Sequence, residues 1–145
     1  MDGMHARRGF SLAELFIALV IAGLLMALAI PPVLAIVDRT EVDAAVRELG
    51  ALFASARAQA MASGRPVAVV IDTVLGEVRV GPASAGVART RYVAAIHHVS
   101  LSATRDSMSY DARGLGRGAA NLTVIVRRGA ASDSVVVSRL GRVRQ

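Results

Sequence analysis

The chain has 145 residues, 54% of them apolar, with 17 basic residues that are all arginine, no cysteine and a formal net charge of +6. That length holds one small domain plus one membrane segment and excludes a second catalytic domain, while the lack of cysteine excludes a disulfide framework and a thiolate metal site. With lysine absent, the arginine content points to a codon bias, so arginine number alone is a weak argument for a polyanionic partner.

Residues 1–9 are polar, carry Arg7 and Arg8, and run straight into apolar sequence. From 15 to 37 there is no charged residue; at 1.5 Å per residue that stretch covers roughly 35 Å, enough for a bilayer core of about 30 Å. Arg7 and Arg8 precede the run and Asp38, Glu41 and Asp43 follow it, which puts the N-terminus in the cytoplasm and exports the rest. Beyond it Val42, Val46, Leu49, Phe53, Ala56 and Ala60 recur every three or four residues, the pattern of an amphipathic helix that continues the apolar one. Gly64 and Pro66 should end it. The periodicity then changes to short β-branched runs, and 67–72, 77–80, 92–101, 107–110, 122–128 and 134–140 are the predicted strands. Their tight connections imply an antiparallel sheet whose covered face rests on the amphipathic helix half. The predicted fold class is α+β, and 81–90, rich in glycine, alanine and serine, is the predicted mobile loop.

The strongest chemical signal is Arg7-Arg8-Gly9-Phe10-Ser11-Leu12-Ala13-Glu14, which sets one carboxylate near the start of an apolar helix, where an ionisable group usually has a partner. A cut before Phe10 would create an α-amino group, ordinarily cationic with a pKa near 8, four residues from Glu14. A neighbouring subunit could pair its amine with this carboxylate. The alternative is an interfacial glutamate of an ordinary signal anchor. Pro31 and Pro32 each remove a helical hydrogen bond and should kink or loosen the helix, unless the helix simply ends at Pro31.

This N-terminal string, followed by a long apolar helix, resembles the class III signal of type IV pilins and type II secretion pseudopilins. The resemblance implies cleavage after Gly9 by a prepilin peptidase, N-methylation of Phe10, registration of an incoming subunit by Glu14, and a helix that loosens between Gly23 and Pro31. It divides the chain into a leader (1–9), the transmembrane half of the helix (10–37), its amphipathic half (38–64) and an exported β domain (65–145). Further along, Ala56-Arg57-Ala58-Gln59-Ala60, Pro66-Val67-Ala68-Val69, Asp111-Ala112-Arg113-Gly114, Val135-Val136-Val137-Ser138 and Gly141-Arg142-Val143-Arg144 resemble the GspH/FimT group of minor pseudopilins. That implies a pilin-like long helix on antiparallel sheets and a single-pass subunit of the bacterial inner membrane with a periplasmic C-terminal domain. Its partners would be other major and minor pseudopilins or pilins, the prepilin peptidase, the inner-membrane assembly platform and membrane lipid. A place at the initiation or tip of the filament follows from the same resemblance.

From Arg79 onward eleven arginines face only Asp106, Asp111 and Asp133, which leaves +8. Arg139, Arg142 and Arg144 concentrate at the end, and if 142–144 is extended Arg142 and Arg144 share a face. Some FimT-like proteins associated with DNA uptake carry a Gly-Arg-x-Arg element, so these three are the candidate DNA-contacting residues; a solvated basic face is the competing reading. Tyr92 and Tyr110 are the only exported aromatics outside the helix, so base stacking has little support. His97-His98, read as adjacent strand residues facing opposite ways with no acidic neighbour in sequence, do not frame a metal site. No catalytic motif is framed either, so no enzyme activity and no cofactor is expected.

Overall fold

A computed structural model describes residues 10–84, 89–117 and 121–144, with the side chains of 28–32 outside the description. Gly9 therefore lies outside the described residues, as do 85–88 of the expected loop. The chain divides into two compact units, 1–34 and 35–145.

In the first unit, helix α1 (Leu12–Ser63) begins at a cap that the sequence spells out. The N–H of Glu14 lies 3.2 Å from Ser11 Oγ, and the Ser11 carbonyl takes the N–H groups of Glu14 and Leu15, both at 3.1 Å. Ser-x-x-Glu is the capping-box pattern, and an acidic residue in the first turn complements the helix dipole. The helix continues unbroken through Pro31 and Pro32, so it does not end at Pro31. Phe10 and the apolar side chains from Leu12 to Met26 are exposed. Among the described residues no helix is long and apolar enough to cross a membrane; the charge-free run 15–37 contains 28–32.

In the second unit the amphipathic stripe is where the periodicity placed it. Val42, Ala45, Val46, Leu49, Phe53, Ala56 and Ala60 are buried, and Gly64, at φ 64°, ends the helix in the left-handed conformation that glycine tolerates. Among the described residues nine strands follow, in two antiparallel sheets. The first has the order β3 (Arg89–Arg91), β2 (Glu77–Pro82), β1 (Val67–Asp72), β5 (Ser107–Tyr110), β6 (Gly116–Arg117). The second has the order β4 (Ser100–Ala103), β7 (Leu122–Arg128), β8 (Ala131–Val137), β9 (Val143–Arg144). Alternation of side chains sends Val67, Val69 and Ile71 of β1 and Leu122, Val124 and Val126 of β7 inward, where they share one core with the α1 stripe.

Three expectations need correction. The stretch 92–101 is not one strand: β3 stops at Arg91, a short helix α2 (Val93–His97) follows, and β4 resumes at Ser100. A helical turn puts Val93 and His97, four residues apart, on one inward face and leaves the consecutive pair Ala95 and Ile96 exposed, which alternation would not. His98, at φ 52°, is the left-handed cap of that turn. The predicted strand 134–140 belongs at Ala131–Val137, because 138–142 form a turn. The sheet is also two sheets, and one helix stripe serves both.

Candidate functional site

The sequence-predicted residues fall at two places that must be described separately. At the N-terminus, Phe10 is exposed and Glu14 occupies the third helical position, its N–H capped by Ser11. Its place in the first turn also sets an acidic side chain where it complements the helix dipole. The Ser11-x-x-Glu14 spacing carried that signal in the sequence. At Gly23, an added Cβ would meet nothing within 4 Å, so no packing inside this chain requires a glycine there.

The second place is the C-terminal hairpin. β8 pairs with β9 through Val137↔Val143 and Val136↔Arg144. Between them the chain reverses by Ser138 N–H to the Arg142 carbonyl and Gly141 N–H to the Ser138 carbonyl, each 2.9 Å. The Arg142 N–H adds a 3.2 Å bond to Ser138 Oγ. Gly141, at φ 73°, holds the left-handed position of a three-residue hairpin loop. It also has no room for a side chain: a Cβ there would collide with the carbonyl oxygen of Gly114 and press on Arg57 Nε and the Tyr110 ring. The glycine of Gly-Arg-x-Arg is therefore a packing requirement, and the two arginines follow from where it puts the chain. Val143 packs against the core, while Arg142 and Arg144 on either side of it are exposed.

This hairpin is pinned to a second turn. Gly116 N–H bonds the Arg139 carbonyl at 3.0 Å, and Arg57 Nε, from the last turns of α1, bonds the Gly114 carbonyl at 3.0 Å. Asp111 organises the second turn, its Oδ1 accepting the N–H groups of Arg113 at 2.9 Å and Leu115 at 3.0 Å. The Leu115 N–H, the Arg113 N–H and the nearby Arg117 guanidinium hold this carboxyl below the usual range, against a smaller desolvation. Exposed Arg113 and Arg117 thereby join Arg139 and Arg142 around one pair of turns, a juxtaposition that chain order concealed. No ion pair described involves Arg113, Arg139, Arg142 or Arg144. Beneath them Tyr110 is fully buried and its hydroxyl has no partner among the described residues. Burial pushes it up to about 12, with Arg57 pulling the other way.

Two arginines at the other end of the domain are occupied. Arg128 Nε meets Asp38 Oδ1 at 2.9 Å and its Nη1 meets the His97 carbonyl at 2.9 Å. Arg91 meets Glu48 at 2.8 Å. His97 is not isolated from carboxylates, as its sequence neighbours implied: its ring nitrogens lie 3.2 Å from Glu41 Oε2 and 2.8 Å from Glu48 Oε2. Glu41 and Glu48 are seven residues apart on α1, two turns along one face, so a single ring from α2 spans both. Burial works against the charged form of Glu48, but the hydrogen bonds of His97 and Arg91 with their charges outweigh it and lower its pKa. The two imidazole nitrogens cannot ligate one ion, and among the described residues no group of three or more acidic or histidine side chains could hold a metal.

Residues 45–141 match the family model described as type II transport protein GspH. The chain belongs to the GspH family. Residues 4–30 match the prokaryotic N-terminal methylation motif, which encloses the Gly9-Phe10 junction and Glu14. The fold is similar to that of the type IV minor pilin FimU of Pseudomonas aeruginosa in two crystal forms. One aligns at 17% identity over 73% of this chain and 88% of FimU, with a TM-score of 0.62. The other aligns at 16% identity over 70% and 90%, with a TM-score of 0.59. A comparison with curated proteins finds no match. The GspH chain is thus a minor pseudopilin or pilin of α+β fold from a family of structural subunits, and membership brings with it assembly with other pilins and prepilin peptidase processing.

Proposed function

We propose that this GspH-family chain is a single-pass inner-membrane subunit, cleaved after Gly9 and N-methylated at Phe10. It enters a periplasmic type II secretion pseudopilus or type IV pilus at its initiation or tip. The observation that carries this reading is the methylation motif at 4–30, which runs into the first turns of a long N-terminal helix. In this account the domains are the leader 1–9, the membrane half 10–37, the amphipathic half 38–64 and the exported domain 65–145. The assembly platform and membrane lipid are partners, and the chain is not an enzyme. Cleavage supplies the amine that Glu14 of a neighbouring subunit meets, and flexibility between Gly23 and Pro31 lets the helix adjust as it leaves lipid. Mass spectrometry of membrane-extracted protein should find a chain beginning at methylated Phe10; an intact leader in the presence of the prepilin peptidase defeats the proposal.

The unpaired arginines of the hairpin favour a second reading, in which the same subunit captures DNA. Arg139, Arg142 and Arg144 would contact phosphates, and affinity would fall steeply with salt, with a log–log slope of about 0.9 per phosphate neutralised. A mobility-shift assay on the full chain in detergent tests it. The reading fails if the chain has no low-salt affinity, or if Arg142→Ala/Arg144→Ala binds as well as the parent.

A further inference from the structure

Four of the large apolar side chains exposed beyond the charge-free run come from two segments that touch. Val74 is 92% and Leu75 65% exposed, in the turn between β1 and β2, and Tyr92 is 55% and Ile96 50% exposed, at and just before α2. The Ala94 N–H bonds the Gly76 carbonyl at 3.0 Å, which seats the turn on α2. Around α2, Val93 and His97 face inward, and Ala95, Ile96 and Tyr92 continue the apolar surface outward from Ala94. The turn is fixed, since Asp72 Oδ1 holds the N–H groups of Val74 at 3.0 Å and Leu75 at 2.9 Å. Solvent turns ordinarily carry polar residues. An apolar tip held in one shape and backed by an aromatic marks a contact surface.

The position of this surface along α1 says what covers it. His97 ties α2 to Glu41 and Glu48, and these lie four and eleven residues past Val37, where the charge-free run ends. At 1.5 Å per residue they stand about 6 and 16 Å beyond it. A headgroup layer occupies roughly 5–8 Å on each side of the hydrocarbon core, so the patch begins at the depth of that layer. Tyrosine suits this boundary, and exposed Arg89, on the strand that leads into Tyr92, suits anionic headgroups. We propose that Val74, Leu75, Tyr92 and Ile96 form a lipid-docking face on which the domain rests against its own membrane before assembly. The proposal rests on the membrane-span reading above.

The chain has no tryptophan, so Leu75→Trp and Ile96→Trp each install a single fluorophore, and Ala112→Trp, in the exposed turn beside Arg113, is the reference. Each full chain is reconstituted in phosphatidylcholine vesicles, with and without phosphatidylglycerol, containing brominated acyl chains. Leu75→Trp and Ile96→Trp should be blue-shifted and lose most of their emission to the brominated lipid. Ala112→Trp should stay quenchable by aqueous iodide, and adding Val74→Asp should return the Leu75→Trp signal to the reference. Chains that float with vesicles while all three fluorophores behave alike overturn the docking face and leave the span intact. Failure of the chains to float overturns both. Protection of Leu75→Trp only after other pilins are added overturns the lipid assignment in favour of a protein.

Discussion

The two ends of the folded domain use arginine in opposite ways. Where the chain enters, Arg91 and Arg128 are bound to Glu48 and Asp38 of α1, beside the exposed apolar side chains of Val74, Leu75, Tyr92 and Ile96. At the far end of α1, Arg113, Arg139, Arg142 and Arg144 surround two turns that hold one carboxylate, Asp111, already engaged by backbone N–H groups. A net charge of +6 is therefore not a property of the whole surface. Carboxylates on α1 pair with Arg91 and Arg128 at one end, while the arginines around the two turns keep their field, which is where a polyanion would be attracted.

The largest expected effect is at the hairpin. Gly141→Ala forces a side chain into a left-handed residue and onto the Gly114 carbonyl, and should destabilise the domain by about 2 to 3 kcal/mol, read as a lower melting temperature by circular dichroism. If it melts like the parent, the two turns are not pinned as described. At the other end, Glu48→Gln removes the charge that His97 and Arg91 share and should cost about 1 to 2 kcal/mol. His97→Ala added to it should cost much less than His97→Ala alone; full additivity would show that they do not act together.

Acid separates the ends further. The folded pKa of Glu48 lies below its unfolded value, so the folded chain takes up that proton later. Its stabilisation is complete above the ordinary carboxylate range and is lost as pH falls through the folded value. Glu48→Gln should flatten the acid limb of the stability profile, and an unchanged limb would assign acid sensitivity elsewhere. Arg142→Ala/Arg144→Ala should shift stability by less than about 0.5 kcal/mol, since neither guanidinium has a described partner; a larger loss would mean that these arginines hold the fold. Smallest of all, Tyr110→Phe deletes a buried hydroxyl without a partner and should be neutral or stabilising by up to about 1 kcal/mol, and a clear loss would reveal a bond to that hydroxyl.

Much of the architecture was legible. Three strands, Val67–Asp72, Ser107–Tyr110 and Leu122–Arg128, stand at their predicted bounds, because each alternates cleanly between turn residues. The helix stripe from Val42 to Ala60 was equally clear. The segment at Tyr92 was not, because β-branched residues and alanine there mimic a strand while Val93 and His97 answer to α1. The pairing of His97 with Glu41 and Glu48 joins positions 49 and 56 residues apart, and no local pattern announces a contact of that separation.

Sequence by itself determined the helix stripe and the alternation of the longer strands. Both are properties of neighbours within a few residues, where backbone geometry fixes the distance. Tertiary structure alone decided which arginines are spent and which are free, why Gly141 must be a glycine, and how two exposed apolar segments come to lie side by side. Each of these depends on which distant residue folding sets opposite, and on whether burial leaves a charge, a side chain or a hydroxyl a partner.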